Sequence, residues 1–256
     1  MEEGRVQDCG FSSSDHLRLY DRLTALTPYQ EMLNQVIAAV PHDARYVLDA
    51  SCGTACFEIG YLKCNTSFSG RIVGVDYSDD ALALAQSKVR DDPRVTLIRQ
   101  DLNKELHFNS EAFDCVVSVN TLHAIESPPG VISEFCRVLK PGGKLVLVVP
   151  KAGLDIGLVL KAHCNERRND PFWQSSVNDI RKIIEYAIKS PSLRNALLKV
   201  TSQSYEHSLP NKQQRFFQRE NVRYMLSVNG FSVIDFAEVY AGQSLFFVAR
   251  KSSIST

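Results

Sequence analysis

The sequence predicts an α/β fold in which helices alternate with the strands of a mostly parallel sheet. Between residues 45 and 150, short β-rich runs alternate with helical ones, as parallel strands joined by crossover helices do. The first β-rich run passes into a tight turn of small residues, after which a helix begins near Cys56. The 256 residues are 44% hydrophobic and 23% charged, so the chain can bury a sizeable core.

Two helices are predicted ahead of the sheet. They cover residues 14–26 and 29–40, and Pro28 stands at a position where proline favours a helix start. We interpret residues 1–44 as an N-terminal helical lid.

Five strands and their connecting helices make up the predicted core, residues 45–150. The strand candidates are residues 45–49, 71–76, 95–99, 113–118 and 144–149, each ending at a polar residue or a turn. Ser78 can cap a helix that runs from Ala81 towards Val89. A further helix is predicted over residues 129–139, where Pro141-Gly142-Gly143 stops it and turns the chain into the fifth strand.

The C-terminal residues, 220–256, are predicted to complete the core. A helix over residues 220–228 ends at Asn229-Gly230, and strands follow over residues 231–239 and 245–250. The four residues between these strands are few enough for a hairpin.

Residues 151–219 depart from the alternating pattern and are predicted to form an inserted helical cap. Apolar residues from Val177 to Ile188 recur at i, i+3 and i+4. Residues 151–220 contain 12 Lys and Arg against 7 Asp and Glu, which favours an anionic substrate, although a solvated helical surface is the simpler interpretation. The aromatic pairs Phe172-Trp173 and Phe216-Phe217 can line an apolar pocket or fill a core.

Charge and cysteine content restrict the class of protein. The 29 Lys and Arg balance 29 Asp and Glu, which argues against a protein that coats nucleic acid or an anionic membrane. No apolar run reaches the ~20 residues that cross a bilayer, and the acidic start lacks a signal-peptide pattern. Seven scattered cysteines without zinc-like spacing are typical of reduced thiols. We therefore expect a cytoplasmic protein without a metal centre or a membrane span.

Three acidic residues stand at the ends of neighbouring predicted strands. Asp49 lies at the end of the first, Asp76 at the end of the second, and Asp101 just after the third. At this edge of an open α/β sheet they suit a phosphate-free nucleoside that carries a positive charge. Only Gly53 matches the glycine pattern of dinucleotide sites, and no P-loop is present. Capping of the following helices is the alternative role of each acid.

The same residues resemble the motifs of class I S-adenosylmethionine-dependent methyltransferases, in the broad group that includes the ubiquinone and menaquinone biosynthesis enzymes. Residues 47–55, Val-Leu-Asp-Ala-Ser-Cys-Gly-Thr-Ala, are similar to the first motif, with Ser51 and Ala55 where glycines are usual. The other similar segments are residues 73–79, 99–102, 113–123 and 134–145. The resemblance runs from about residue 15 to residue 250, without the cap in detail.

This resemblance implies a Rossmann-like, seven-stranded, mostly parallel sheet with an antiparallel last strand, and S-adenosyl-L-methionine as the methyl donor. With Asp21, Tyr20 resembles an N-terminal helical motif whose tyrosine closes over the cofactor. The residues that it implies for cofactor binding are Tyr20, Asp49, Ala50, Ser51, Gly53, Asp76, Tyr77, Asp101, Leu102 and Asn120.

The implied reaction is an in-line attack of a substrate nucleophile on the sulfonium methyl group. If the nucleophile needs a general base, His123, just past the fourth strand, is the best placed candidate, and packing at a helix start explains this histidine equally well. His163, Tyr205 and His207 in the cap are weaker candidates. We expect the acceptor to be an O, N or C nucleophile of a small molecule, anionic or aromatic, enclosed by the cap.

Three alternatives stay open at this point. The acceptor can be RNA or protein, although the neutral charge and the lack of a Lys/Arg-rich element weigh against nucleic acid. The altered first motif also allows a protein that keeps the fold as a binding module without methylating. Thiol-driven methylation of a soft metalloid by Cys52 and Cys164 is the functional alternative to packing thiols.

Overall fold

The computed structural model describes residues 14–151, 155–166, 181 and 217–252. The strands in this part of the chain are β1 (Tyr46–Ala50), β2 (Arg71–Asp76), β3 (Val95–Arg99), β4 (Phe113–Val119), β5 (Leu139–Pro150), β6 (Phe231–Val239) and β7 (Ser244–Lys251). The helices are α1 (Ser14–Thr24), α2 (Thr27–Ala39), α3 (Cys56–Cys64), α4 (Asp79–Val89), α5 (Pro128–Val138), α6 (Ile156–Glu166) and α7 (Arg219–Val228), with a 3-10 turn at Leu122–Ala124.

The seven strands form one sheet in the order β3-β2-β1-β4-β5-β7-β6. Only β7 runs antiparallel to its neighbours, which confirms the predicted mostly parallel sheet with an antiparallel last strand. The chain moves outward from β1 to β3 and then returns to the other side of β1 with β4. The carboxyl ends of β1 and β4 therefore form the switch point at which open α/β sheets bind ligands.

Helices bury both faces of the sheet. On one face, Met32 and Val36 of α2 and Phe57 of α3 pack against alternate strand residues, including Val47 and Ile72. On the opposite face, α5 and α7 pack against the residues of the other parity, a cluster that includes Leu48, Val75, Phe135, Leu145 and Leu226. This alternation decides which strand-end side chains face α3.

The end of α5 differs from the sequence prediction. The helix ends at Val138, and Leu139 already belongs to β5, where it pairs with Phe113. Pro141, Gly142 and Gly143 therefore lie within β5, at an irregularity in its pairing with β4, and do not separate helix from strand. The burial of Leu139 in the core explains the early change from helix to strand.

The predicted cap is described only in part. Its first helix, α6, packs against α2, and Phe217 is buried beside the end of β5. The helix predicted around Val177 to Ile188 lies outside the described residues, apart from Arg181, as do Phe172-Trp173, Phe216, Tyr205 and His207. No described helix is long and apolar enough to span a membrane.

Candidate functional site

The loop between β1 and α3 has an unusual backbone conformation. Ser51 (φ 76°), Gly53 (φ 53°) and Ala55 (φ 63°) all lie in the left-handed region. For a residue with a Cβ this conformation costs roughly 1–2 kcal/mol, and Ser51 and Ala55 stand where the resembling motif usually has glycine. The loop therefore keeps a glycine-like path with small side chains.

Hydrogen bonds tie this loop to the end of β2. The backbone N–H groups of Ser51 and Cys52 donate to the carbonyl oxygen of Val75, at 2.8 and 2.9 Å. The N–H of Gly53 donates to Oδ2 of Asp76 at 3.0 Å, and the Ser51 hydroxyl donates to the same oxygen at 3.4 Å. The loop and the second strand end are thus one connected unit.

Asp76 is the centre of that unit. Its side chain is 6% exposed, and its Oδ1 accepts a hydrogen bond from the N–H of Ser78 at 2.9 Å. Burial raises the pKa of Asp76, and the hydrogen bonds from Ser78, Gly53 and Ser51 oppose that rise. The carboxyl group supports the loop, while Ser78 caps α4 through the N–H of Ala81, as predicted. Ser78, and not Asp76, is therefore the residue that caps α4.

The remaining candidate residues on this side of the site follow β2 and β3. Tyr77 is 38% exposed beside Asp76, and Leu102 is buried. Asp101 is half-buried, and its Oδ1 accepts hydrogen bonds from the backbone N–H and the side-chain amide of Asn103, at 2.9 and 3.1 Å. The structure thus brings Asp76 and Asp101 to the ends of adjacent strands at one edge of the sheet.

Two polar groups that follow β4 have no partner within the described part of the chain. Asn120 has left-handed backbone (φ 52°), and its N–H donates to the carbonyl oxygen of Val148 at 2.8 Å. Its side-chain Oδ1 and the Nδ1 of His123 are buried and have no hydrogen-bond partner among the described residues. Burial lowers the pKa of His123 to about 4, so its imidazole is neutral at physiological pH and Nδ1 can accept a proton.

Helix α1 lies against the loop. A Cβ added to Gly53 would lie 3.9 Å from the ring of Tyr20, whose hydroxyl is 3.2 Å from that of Tyr29. Burial raises the pKa of both tyrosines, so both remain phenols. Asp21 accepts a hydrogen bond from the Thr54 hydroxyl and pairs with Lys88 at 2.7 Å. The predicted lid is thus held to the loop and to α4.

Glu58, in the first turns of α3, is a further buried acid of the site that was not predicted from the sequence. Its side chain is fully buried, and a Cβ added to Gly74 would lie 2.5 Å from its Oε1. Asp49, Gly74 and Asp76 share the sheet face that carries α3, since Asp49 pairs with Gly74 and Asp76 lies two residues further along β2. Two signals could have indicated this placement: an acid within an apolar helix and a glycine inside a strand.

Three carboxyl groups are therefore buried together beneath the loop. Burial, followed by repulsion from Glu58, raises the pKa of Asp49, and burial also raises the pKa of Glu58. Within the described part of the chain, no salt bridge reaches Asp49, Glu58 or Asp76. Among the described residues these acids have no paired cation, which suits a positively charged ligand better than a phosphate.

The donor set fits S-adenosylmethionine. This cofactor carries a sulfonium, a ribose and an adenine. The site offers carboxylates, a backbone at Gly53 that a ligand can approach closely, and the Asn120 side-chain oxygen, which has no partner among the described residues. The described residues include no group of three or more His, Cys, Asp or Glu that could hold a metal ion.

The weaker candidate base His163 is buried and accepts a hydrogen bond from the N–H of Thr27 at 3.1 Å, which links α6 to α2.

The chain is similar to known methyltransferases in sequence and in fold. Residues 48–147 match the family model described as a methyltransferase domain. The sequence is 26% identical to the Bacillus subtilis protein YqeM, whose name describes it provisionally as a methyltransferase. The alignment covers 95% of this chain and 96% of that protein. The demethylmenaquinone methyltransferase of Leptospira interrogans is 26% identical over 82% of this chain and 77% of its own length.

A solved structure extends the similarity to the fold. The magnesium protoporphyrin IX methyltransferase of Synechocystis, crystallised with S-adenosylhomocysteine bound, superposes with a TM-score of 0.61. The alignment covers 94% of this chain and 97% of that enzyme at 16% sequence identity, so it concerns the fold alone.

Proposed function

The chain is a class I S-adenosylmethionine-dependent methyltransferase, and from this premise we propose that it binds the methyl donor at the β1–α3 loop and methylates a small molecule. The observation that carries the proposal is the connected unit of loop and strand end, in which Gly53 and Ser51 hydrogen-bond the Asp76 carboxylate. Its position at the switch point of the sheet is where a nucleoside would bind.

We propose specific roles for the residues around this unit. Asp76 would accept hydrogen bonds from the ribose hydroxyls, because its oxygens retain acceptor capacity beyond the loop contacts. Asp101 and Leu102 would contact the adenine, with Tyr77 beside the ribose. Asp49, Ala50 and Ser51 would border the methionine part, with Tyr20 covering it and Asn120 offering its buried amide oxygen.

The bound donor supplies an electrophilic methyl group on a sulfonium. The protein's contribution is to orient the two partners and to exclude water, which can lower a barrier by roughly 7–11 kcal/mol. The tyrosines of α1 and α2 are suited to excluding water because Tyr29 is buried, Tyr20 is half-buried, and both remain protonated phenols. No covalent enzyme intermediate is required for this transfer.

His123 is the proposed general base for acceptors that must lose a proton. Its neutral imidazole follows the end of β4, close in sequence to Asn120, and its Nδ1 has no partner within the described residues. A neutral histidine with a free ring nitrogen can take a proton from a hydroxyl or an acidic carbon as the methyl group is transferred.

The acceptor is proposed to be a small molecule, anionic or aromatic, enclosed between the N-terminal helices and the cap. The basic excess of residues 151–220 and the menaquinone-type relative support this class. The balanced charge of the chain weighs against RNA as acceptor, and protein remains the second candidate. We also propose that the protein is cytoplasmic, because its described cysteines are scattered and form no disulfide.

Replacement of Asp76 tests the cofactor site. The Asp76→Ala variant should bind S-adenosylmethionine and S-adenosylhomocysteine between about ten- and a hundredfold more weakly, the value of charge-assisted hydrogen bonds. Asp79→Ala is the matched control, since Asp79 is three residues away, exposed, and paired with Arg99 on the surface. Unchanged affinity in a folded Asp76→Ala variant, judged by its circular dichroism, would refute the assignment.

A further inference from the structure

Glu58 is a buried acid for which the proposed binding roles give no use. It lies in α3 with none of its surface exposed, and its carboxyl group faces that of Asp49 with no described cation or hydroxyl group as a partner. An acid that is neither solvated nor paired with a cation is costly to bury in its charged form. Its presence therefore needs an explanation other than packing.

Because Gly74 has no side chain, the carboxyl group of Glu58 can lie directly against strand β2. The Cβ of an alanine at position 74 would approach Oε1 of Glu58 to 2.5 Å and Cβ of Cys52 to 3.0 Å. Because Gly74 pairs with Asp49, the Glu58 carboxyl is directed at the strand residues beneath the cofactor loop. Asp49 interacts with Glu58 through a side-chain hydrogen bond, and Asp76 acts on it more weakly.

The other titratable groups that face the pair are the phenols of Tyr20 and Tyr29, which interact with Asp49 and stay protonated, and two thiols. Cys52 of the loop and Cys56 of α3 both interact with Glu58. Burial and the neighbouring acids raise the pKa of Cys52, so this thiol stays neutral. No described cation therefore balances the pair from β1, β2, the loop or α3, and a shared proton is the remaining way to limit its charge.

We propose that Asp49 and Glu58 share one proton in the ligand-free protein and release it when a sulfonium cation binds above them, so that the pair favours the methyl donor over its neutral thioether product. In this step the O–H bond of one carboxyl breaks, the proton passes to buffer, and the pair becomes fully ionised. No bond to the ligand forms. The inference rests on the proposed cofactor site.

Glu58→Gln separates this role from a purely structural one. The amide has the shape of the protonated acid but cannot ionise. Isothermal titration calorimetry at pH 7.5 in phosphate, Hepes and Tris buffers, whose ionisation enthalpies differ, reports the protons released on binding. The ligands are S-adenosylmethionine and S-adenosylhomocysteine. Glu220→Gln, at an exposed position in α7, is the matched control.

The wild type and Glu220→Gln should release a fraction of a proton with S-adenosylmethionine and essentially none with S-adenosylhomocysteine. Glu58→Gln should abolish the release and weaken the methyl donor roughly tenfold, as expected for one unit charge at short range, while the thioether affinity changes less than about twofold. Asp49→Asn should lose the same proton release, which provides a second measurement if Glu58→Gln does not fold.

Two results would overturn the inference and leave the proposed cofactor site in place. Equal weakening of both ligands in Glu58→Gln, or unchanged proton release, would show that Glu58 only shapes the loop while the cofactor site stands. Failure of the wild type to bind either ligand would instead refute the proposed function, and the inference with it.

Discussion

At the scale of single residues, the site is dominated by buried carboxyl groups that pair with no described cation. Asp76 is stabilised by the backbone N–H groups of two other residues and one hydroxyl, whereas the Glu58 carboxyl has no such donor from another described residue and faces the carboxyl of Asp49. Burial raises the pKa of both side chains. The difference in donors suits Asp76 to hold a fixed geometry and Glu58 to change protonation.

The buried Glu58 predicts a specific pH dependence of stability in the ligand-free protein. Since burial raises its pKa above the unfolded value of 4.5, the folded state binds more protons, and the free energy of unfolding falls as pH rises from that value through the folded pKa. Urea unfolding should therefore show Glu58→Gln gaining stability relative to wild type at pH 8–9 and not at pH 4–5. A constant difference across this range would contradict the account.

For His123, the dependence of the free energy of unfolding on pH is predicted to have the opposite sign, and it lies at acidic pH. Its pKa is lowered from 6.5 to about 4, so the unfolded state binds more protons between these values, and protonation lowers the free energy of unfolding as pH falls. The wild type should lose on the order of 2 kcal/mol between pH 6.5 and 4 through this group. The same scan on His123→Gln should lack that loss.

The activity of the His123 variant separates catalysis from packing. If His123 is the base, His123→Gln should retain cofactor affinity within about twofold and lower the methyl-transfer rate by about 10²–10⁴, the usual contribution of a general base. A rate close to that of wild type, with the stability change alone, would assign His123 to packing.

At the scale of secondary-structure elements, β2 is adapted to the acid on α3. The space of a side chain at position 74 is filled by Oε1 of Glu58, Cδ2 of Leu97 and Cβ of Cys52, at 2.5, 2.9 and 3.0 Å from the Cβ that alanine would introduce. Gly74→Ala should therefore lower the free energy of unfolding by about 1–3 kcal/mol and weaken donor binding.

Thermal denaturation and binding measurements on Gly74→Ala, with and without Glu58→Ala, check this prediction. The smaller side chain at position 58 should relieve part of the crowding in the double variant. Strictly additive losses would show that positions 58 and 74 do not interact.

Helix α1 is held to the site chiefly through Asp21. Asp21→Asn would keep an acceptor for Thr54 but remove the charge that pairs with Lys88. We expect faster amide hydrogen exchange in α1 and no change in β1 or β4, measured by mass spectrometry, because the sheet core does not involve this contact. Glu238→Gln is the control, since its ion pair with Lys151 lies on a half-exposed surface of β6.

At the scale of the whole molecule, the sheet was largely predictable from the sequence. The observed bounds of β2, β3 and β6 coincide with the predicted ones, because each is a β-rich run between clear turn residues. The start of β5 was not predictable from local signals. Leu139 follows a helical pattern in sequence, and only its pairing with Phe113 places it in the sheet.

The candidate site was predictable only where it lies at strand ends. Asp49, Asp76 and Asp101 follow from the edge at which parallel strands end, and the structure gathers them there. Glu58 could not be found in this way, because its role depends on a gap at Gly74 on another element. The unpartnered Asn120 oxygen likewise depends on how the end of β4 packs.

At this scale we propose that the switch point of the sheet, whose buried acids have no paired cation among the described residues, binds a cationic nucleoside. Calorimetric titration of the wild-type protein with S-adenosylmethionine, S-adenosylhomocysteine and NAD tests it most directly. We predict saturable binding of the first two and none of NAD, whose phosphates would meet the buried acids. Binding of NAD, or of none of the three, would contradict the account.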